Sequence, residues 1–201
     1  MARLQDDEVE RFHATSGRVT GWMTVAVAVA VAVGGVAYLD EGFPRWLVAA
    51  AVLVGVLAWA AMLRPALWVH GEHLVMRNML ETTHIRLVAV EELAVRQVLA
   101  VRAAERRWVS TAIGRSLRRT MSSGRRPAAG ADGRSATSVK YVDFVEDRLH
   151  RLVDEARGAA GIRPGSPEQL ALPDAVRRQR AWVPIALIAV ATVALLLTLL
   201  V

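Results

Sequence analysis

The residues best suited to chemistry stand in one stretch, "RQVLAVRAAERRWVSTAIGRSLRRT". It sets Arg96, Arg102, Arg106, Arg107, Arg115, Arg118 and Arg119 against a single acid, Glu105. A guanidinium keeps its charge and forks onto carboxylates and phosphates. Two ligand classes follow. An acidic face on a protein partner would gain orientation and on-rate from such a surface. Anionic lipid headgroups would gain about 1 kcal/mol for each arginine close to the membrane. Nucleic acid fits less well, because only Trp108 offers a stacking ring nearby and no nucleic-acid motif is present. A purely physical use, holding topology and solubility, accounts for the same residues without a ligand. Protein scaffolding is the leading expectation and lipid contact the alternative.

Other candidate chemistry is thin. "HGEH" brings His70 and His73 close in sequence, but not at the spacing of a helical zinc motif. Read as one strand, the two imidazoles point to opposite faces. "EDRLHRLVDE" mixes carboxylates with His150 on what reads as the polar face of a helix. There is no cysteine, which removes disulfides, thiolate metal sites and thiol nucleophiles. Gly-rich phosphate loops, GxSxG and redox motifs are missing as well. No enzyme, metal or cofactor is expected. Ser116, Thr120, Ser122 and Ser123 lie among the arginines, where phosphorylation would lower the local positive charge.

The elements that must position these residues divide by polarity. The 201 residues are 54% hydrophobic and 22% charged, with net charge +6. Both figures fit one chain only if the two kinds of residue are segregated. Residues 19–39 carry no charge, residues 46–63 are equally apolar, and residues 181–201 form a third such run. Each matches the length of a helix crossing a hydrocarbon core of about 30 Å. The first run follows a segment with four acids and exceeds a signal-peptide core, so it is expected to be a retained anchor. Gly34, Gly35 and Gly55 could permit close helix packing, though glycine is common in membrane helices in any case.

Arginine placement sets the expected orientation. The six-residue loop "DEGFPR" holds two acids and one arginine, whereas Arg64, Arg177, Arg178 and Arg180 border the second and third runs. Positive charge stays inside. The expected order is a cytoplasmic N-terminal segment (1–18), a transmembrane hairpin (19–63), a cytoplasmic domain (64–160), a linker (161–180) and a closing transmembrane helix (181–201). The C-terminus falls outside the cytoplasm, and the location is the plasma membrane. Self-association is left open.

Residues 64–180 hold 21 basic and 13 acidic groups. "ALWVH" and "HLVMRNML" flank Gly71-Glu72 as a hairpin, and "THIRLVAV" continues as a strand. "ELAVRQVLAV" and "RWVSTAIG" flank "RAAER" as a second hairpin. Arg96 and Arg102 then share a strand face with Ala94, Val98 and Ala100, while Arg106 and Arg107 sit at the turn. In the last strand Val109, Thr111 and Ile113 oppose Trp108, Ser110 and Ala112. Residues 121–138 have no period and are expected to be disordered. An amphipathic helix follows at 139–157, with Val139, Val142, Val145, Leu149, Leu152, Val153 and Ala156 on one face. Thr137 or Ser138 would cap it and Gly158 would end it. Asp147–Arg151 and Arg151–Glu155 stand at ion-pair spacing.

"HLVMRNMLETTHIRLVAVEEL", the arginine stretch and "KYVDFVEDRLHRLVDEARGAAGI" together resemble the bacterial PH-like domain of actinobacterial membrane proteins. That family is named after low molecular weight protein antigen 6, and the resemblance covers residues 64–160 with the preceding helical hairpin. It implies a small antiparallel β barrel or sandwich capped by a helix, hence an α+β membrane protein with three transmembrane helices, and a binding module. Phosphoinositide-binding PH domains cluster basic residues at the first hairpin. Here that hairpin offers only Arg77, with Glu72 at its turn, so that site is not carried over.

Overall fold

The computed structural model describes residues 9–12, 17–113 and 133–200, with side chains from Lys140 onward in the last stretch. Residues 114–132 lie outside it, and with them Arg115, Arg118, Arg119, the four hydroxyl residues from Ser116 to Ser123, and most of the expected disordered loop. The chain divides into two compact units.

One unit is helical. Helix α1 spans Arg18–Ala37. Helix α2 spans Arg45–Ala58 and continues as a π turn over Trp59–Leu63. The third apolar helix, Trp182–Leu200, packs on α2. All three are long and apolar enough to cross a membrane. Their apolar side chains remain outside any core: Trp22, Val33, Val190 and Leu200 are exposed. A Cβ at Gly21 would stand 2.8 Å from the Met62 Cβ, and one at Gly35 would stand 2.6 Å from Phe43 and Val48. Glycine is thus a packing requirement at Gly35, and at Gly21, which composition alone does not flag. Gly34 faces open space. Arg64 donates to the Met79 carbonyl at 2.9 Å.

The other unit is α+β, built on two antiparallel sheets that do not close into a barrel. Strands β1 (Val9–Phe12), β2 (Ala66–His70), β3 (His73–Arg77), β4 (Glu81–Arg86) and β8 (Val176–Arg180) form a five-stranded sheet in the order β1-β2-β3-β4-β8. Strands β5 (Val90–Val95), β6 (Leu99–Ala103) and β7 (Arg106–Ser110) form a three-stranded one. Helix α3 (Gly133–Ala160) and the short α4 (Pro167–Leu170) follow β7, and the apolar helix after β8 is α5.

The outer strands were hidden in segments expected to be irregular. β1 belongs to the N-terminal segment and pairs with β2 from Val9↔His70 to Phe12↔Leu67. β8 lies in the expected linker. It is bracketed by hydrogen bonds from Arg86 N–H to the Ala175 carbonyl (3.0 Å) and from Ala181 N–H to the Leu80 carbonyl (2.9 Å), which fits an antiparallel partner for β4. The chain therefore leaves β1 after Phe12, enters β2 at Ala66 and leaves β8 at Arg180, all at one end of this sheet.

Three strand boundaries differ from expectation, each for a visible reason. "THIRLVAV" stops being a strand at Arg86. Leu87, Val88, Ala89 and Val90 are all buried in succession, which a period of two forbids, and a 3-10 turn carries the chain between sheets there. "ELAVRQVLAV" is two strands, because the inward phase set by Leu93 and Val95 next falls on Gln97. The chain turns at 96–98 and Val95 pairs with Leu99. β7 ends at Ser110, after which Ala112 and Ile113 are both buried.

Helix α3 begins at Gly133, earlier than the expected cap, and runs to Ala160, where Gly161 takes the left-handed conformation that ends helices. Val142, Val145, Leu149, Leu152, Val153 and Ala156 are buried as the apolar stripe requires, in one cluster with both sheets. A fully buried leucine such as Leu149 contributes about 2 kcal/mol. The expected pairs Asp147–Arg151 and Arg151–Glu155 are not formed among the described residues. The helix instead reaches other elements: Arg148 Nε contacts Glu10 of β1 at 3.1 and 3.2 Å, and Glu146 accepts the Val95 N–H at 3.1 Å.

The expected linker also packs. Gln169 is 2% exposed, and its amide donates to the Val88 and Val90 carbonyls at 2.8 and 3.0 Å. Ser166 caps α4 by accepting the Gln169 N–H. Replacing Gln169 with leucine removes the amide donor from the buried Val88 carbonyl, while Arg157 still donates to that of Val90, an expected cost of about 2 kcal/mol. Denaturant unfolding of Gln169→Leu should show that loss, whereas unchanged stability would mean that residues 161–175 merely connect.

Candidate functional site

The described part of the arginine stretch lies on the three-stranded sheet. β6 and β7 pair from Leu99↔Ser110 to Ala103↔Arg106, which leaves a two-residue turn, Ala104-Glu105. Both take positive φ, 51° and 57°, without the glycine or asparagine that usually marks such a turn. Glu91 holds it in place. One carboxylate oxygen accepts the Glu105 N–H at 2.9 Å and the other accepts Arg102 Nε at 3.0 Å.

Arg106 and Arg107 therefore open β7 rather than forming the turn, and Arg96 sits in the 96–98 turn rather than on a strand face. Glu92, Arg102 and Arg107 form one cross-strand row, and Ala94, Ala100 and Val109 the next. A groove of about 1050 Å³ runs over this face, lined by Glu92, Arg96, Arg102, Glu105 and Arg107 above Ala94 and Ala100. Its charge is mixed. Arg102 is engaged by Glu91, and Glu92 and Glu105 stand among the arginines. The side chains of Arg96, Arg106 and Arg107 are exposed, without a hydrogen bond or ion pair among the described residues.

Of the arginines bordering the apolar runs, Arg177, Arg178 and Arg180 belong to β8. The Arg178 guanidinium stacks over the Trp108 ring, 5.5 Å from its centroid. Trp108 in turn donates to the Ala103 carbonyl at 3.1 Å. The ring whose isolation spoke against nucleic-acid binding thus already carries Arg178 on one face.

A second grouping has no counterpart in the sequence expectations. His70 and His73 are direct partners across the Gly71-Glu72 turn, so they share a face of the five-stranded sheet instead of opposing each other. His84 lies on that face too, one row along, opposite Val75. Burial, then His73, then Arg177 push the His84 imidazole below its ordinary pKa. Among the described residues no three His, Asp or Glu side chains gather as a metal site. A hairpin register drawn before the faces were assigned would have found the His70–His73 pair. His84 and Arg177 come from strands whose adjacency no local pattern announces.

Compared with family models, curated proteins and solved structures, the chain matches none.

The lowered His84 pKa has a definite sign for stability. The unfolded chain binds its proton more tightly, so stability is full above the ordinary histidine pKa and falls as pH drops through the histidine range. His84→Gln removes this term. Its thermal midpoint should fall less than wild type between neutral and mildly acidic pH, and equal falls would show that His84 carries no such penalty.

Proposed function

We propose that this chain is a non-enzymatic, membrane-anchored binding module of PH-like type, whose three-stranded sheet docks a protein partner at the inner membrane surface. Support for the anchor comes from three helices with the length and composition of membrane spans and with apolar surface outside any core. Support for a PH-like domain is the order of parts: four antiparallel strands, three more, then a long helix packed on both sheets. Here the apolar hairpin would interrupt the domain between its first and second strands. Arg64, Arg177, Arg178 and Arg180 favour a cytoplasmic domain by the positive-inside rule.

The observation that carries the choice of partner is the mixed charge of the groove. A surface built for anionic lipid would leave its arginines uncompensated. Here Glu92 and Glu105 interleave with Arg96, Arg102 and Arg107 over a small apolar floor, and Glu91 holds Arg102. Alternating charge above alanines suits a peptide or protein surface of complementary pattern, where charge sets register and partner choice.

Two measurements test this. Crosslinking in native membranes should capture a protein with wild type and lose it when Arg96, Arg106 and Arg107 are changed to glutamate. If no capture depends on them, while the same variant loses retention on anionic vesicles, the lipid alternative holds instead. A reporter fused at Gly130 should behave as cytoplasmic and one at Val201 as external, and the reverse pattern would sink the topology.

A further inference from the structure

The outer face of the five-stranded sheet gathers cations from every strand. The registers place Val9, His70, His73 and Arg86 in one cross-strand row, and Arg11, Trp68, Val75 and His84 in the next. β8 adds Arg177 and Gln179 to the cavity on this face, which measures about 570 Å³. Val75, only 2% exposed, is its floor, and Trp68 is one wall, with the Arg77 guanidinium 5.6 Å from the ring centroid. The acids facing it are few. Glu72, at the turn, lies 3.7 Å from Arg86, and Asp174 precedes β8. No side-chain hydrogen bond or ion pair among the described residues engages His70, His73, His84 or Arg177.

Four nitrogen-bearing side chains on four strands, one of them always cationic, form an anion site. A metal ion would be repelled by Arg177, and it would need the imidazoles neutral. We propose that this cavity binds a phosphate monoester, with His70, His73, His84 and Arg177 donating to its oxygens, and binds it more tightly as the imidazoles protonate. The cavity exceeds a bare phosphate, which leaves room for an organic group against Trp68. Burial first, then His73 and Arg177, disfavour the proton on His84, and a bound dianion would offset the repulsion from the latter two. This site is separate from the groove on the other sheet and does not rest on the partner proposed for it.

The test uses the full chain in phosphatidylcholine nanodiscs, read by imidazole NMR, with the exposed His150 on α3 as internal reference. Inorganic phosphate is titrated in one arm, and phosphatidic acid is built into the bilayer in the other. Sulfate, whose charge is constant across the range, isolates the effect of the histidines. His70, His73 and His84 should move together while His150 stays still. Sulfate should bind about tenfold more tightly at about pH 5.5 than at about pH 7.5, and Arg177→Gln should weaken it by a similar factor. A response to phosphate identifies a soluble ligand, and a response to phosphatidic acid alone identifies a lipid. No movement in either arm, movement of His150 to the same extent, or tighter sulfate binding at the higher pH would overturn the proposal.

Discussion

A buried sheet needs a hydrogen-bonding partner for every interior strand, and here those partners come from distant parts of the chain. β2, β3 and β4 are one contiguous meander. Their outer neighbours, β1 and β8, each border an apolar segment in sequence. β1 precedes α1 and α2, and β8 immediately precedes α5. The sheet is complete only when both segments return to it, and residues 64–160 alone lack two of its strands. The ion pair from Arg148 to Glu10 ties the first of these segments to the long helix, and Gln169 ties the stretch before the second to the carbonyls of Val88 and Val90.

Helix α3 makes one core out of two sheets. Its stripe from Val142 to Ala156 is buried together with Leu67, Leu74 and Ile85 of one sheet and Leu93, Leu99 and Val101 of the other. Both sheets therefore present their opposite faces outward, and those faces differ in charge. The three-stranded face interleaves arginine with glutamate. Among the described residues, the five-stranded face sets arginines and histidines against two acids, Glu72 and Asp174. One domain thus carries two surfaces of different charge pattern, the first proposed to meet a patterned protein surface and the second a compact anion.

The apolar spans, the first hairpin and the buried face of α3 were legible in the sequence because each is a local pattern: length, turn residues and a helical period. What was not legible depended on distant partners. β1 is four residues with no clear alternation, and Val176–Arg180 is polar at every position but the first. Nothing local marks either as a strand; pairing with β2 and β4 does. The turn at 96–98 was signalled by Gln97 on an inward phase, but the surrounding valines and leucines masked it. For the site, the arginines were found and their compensation was not, because Glu91 reaches Arg102 across a sheet register. The His70–His73 pairing was within reach and was lost by treating a turn as a strand.

The central claim is that chain segments flanking the apolar helices complete the five-stranded sheet. Residue-resolved hydrogen exchange on the full chain in nanodiscs tests it most directly. Amides of Val9–Phe12 and Val176–Arg180 that face a neighbouring strand should be protected well above the level of open chain, alongside those of β3. Exchange at open-chain rates in both segments, with β3 still protected, would contradict it and return the domain to a smaller sheet with two free tails.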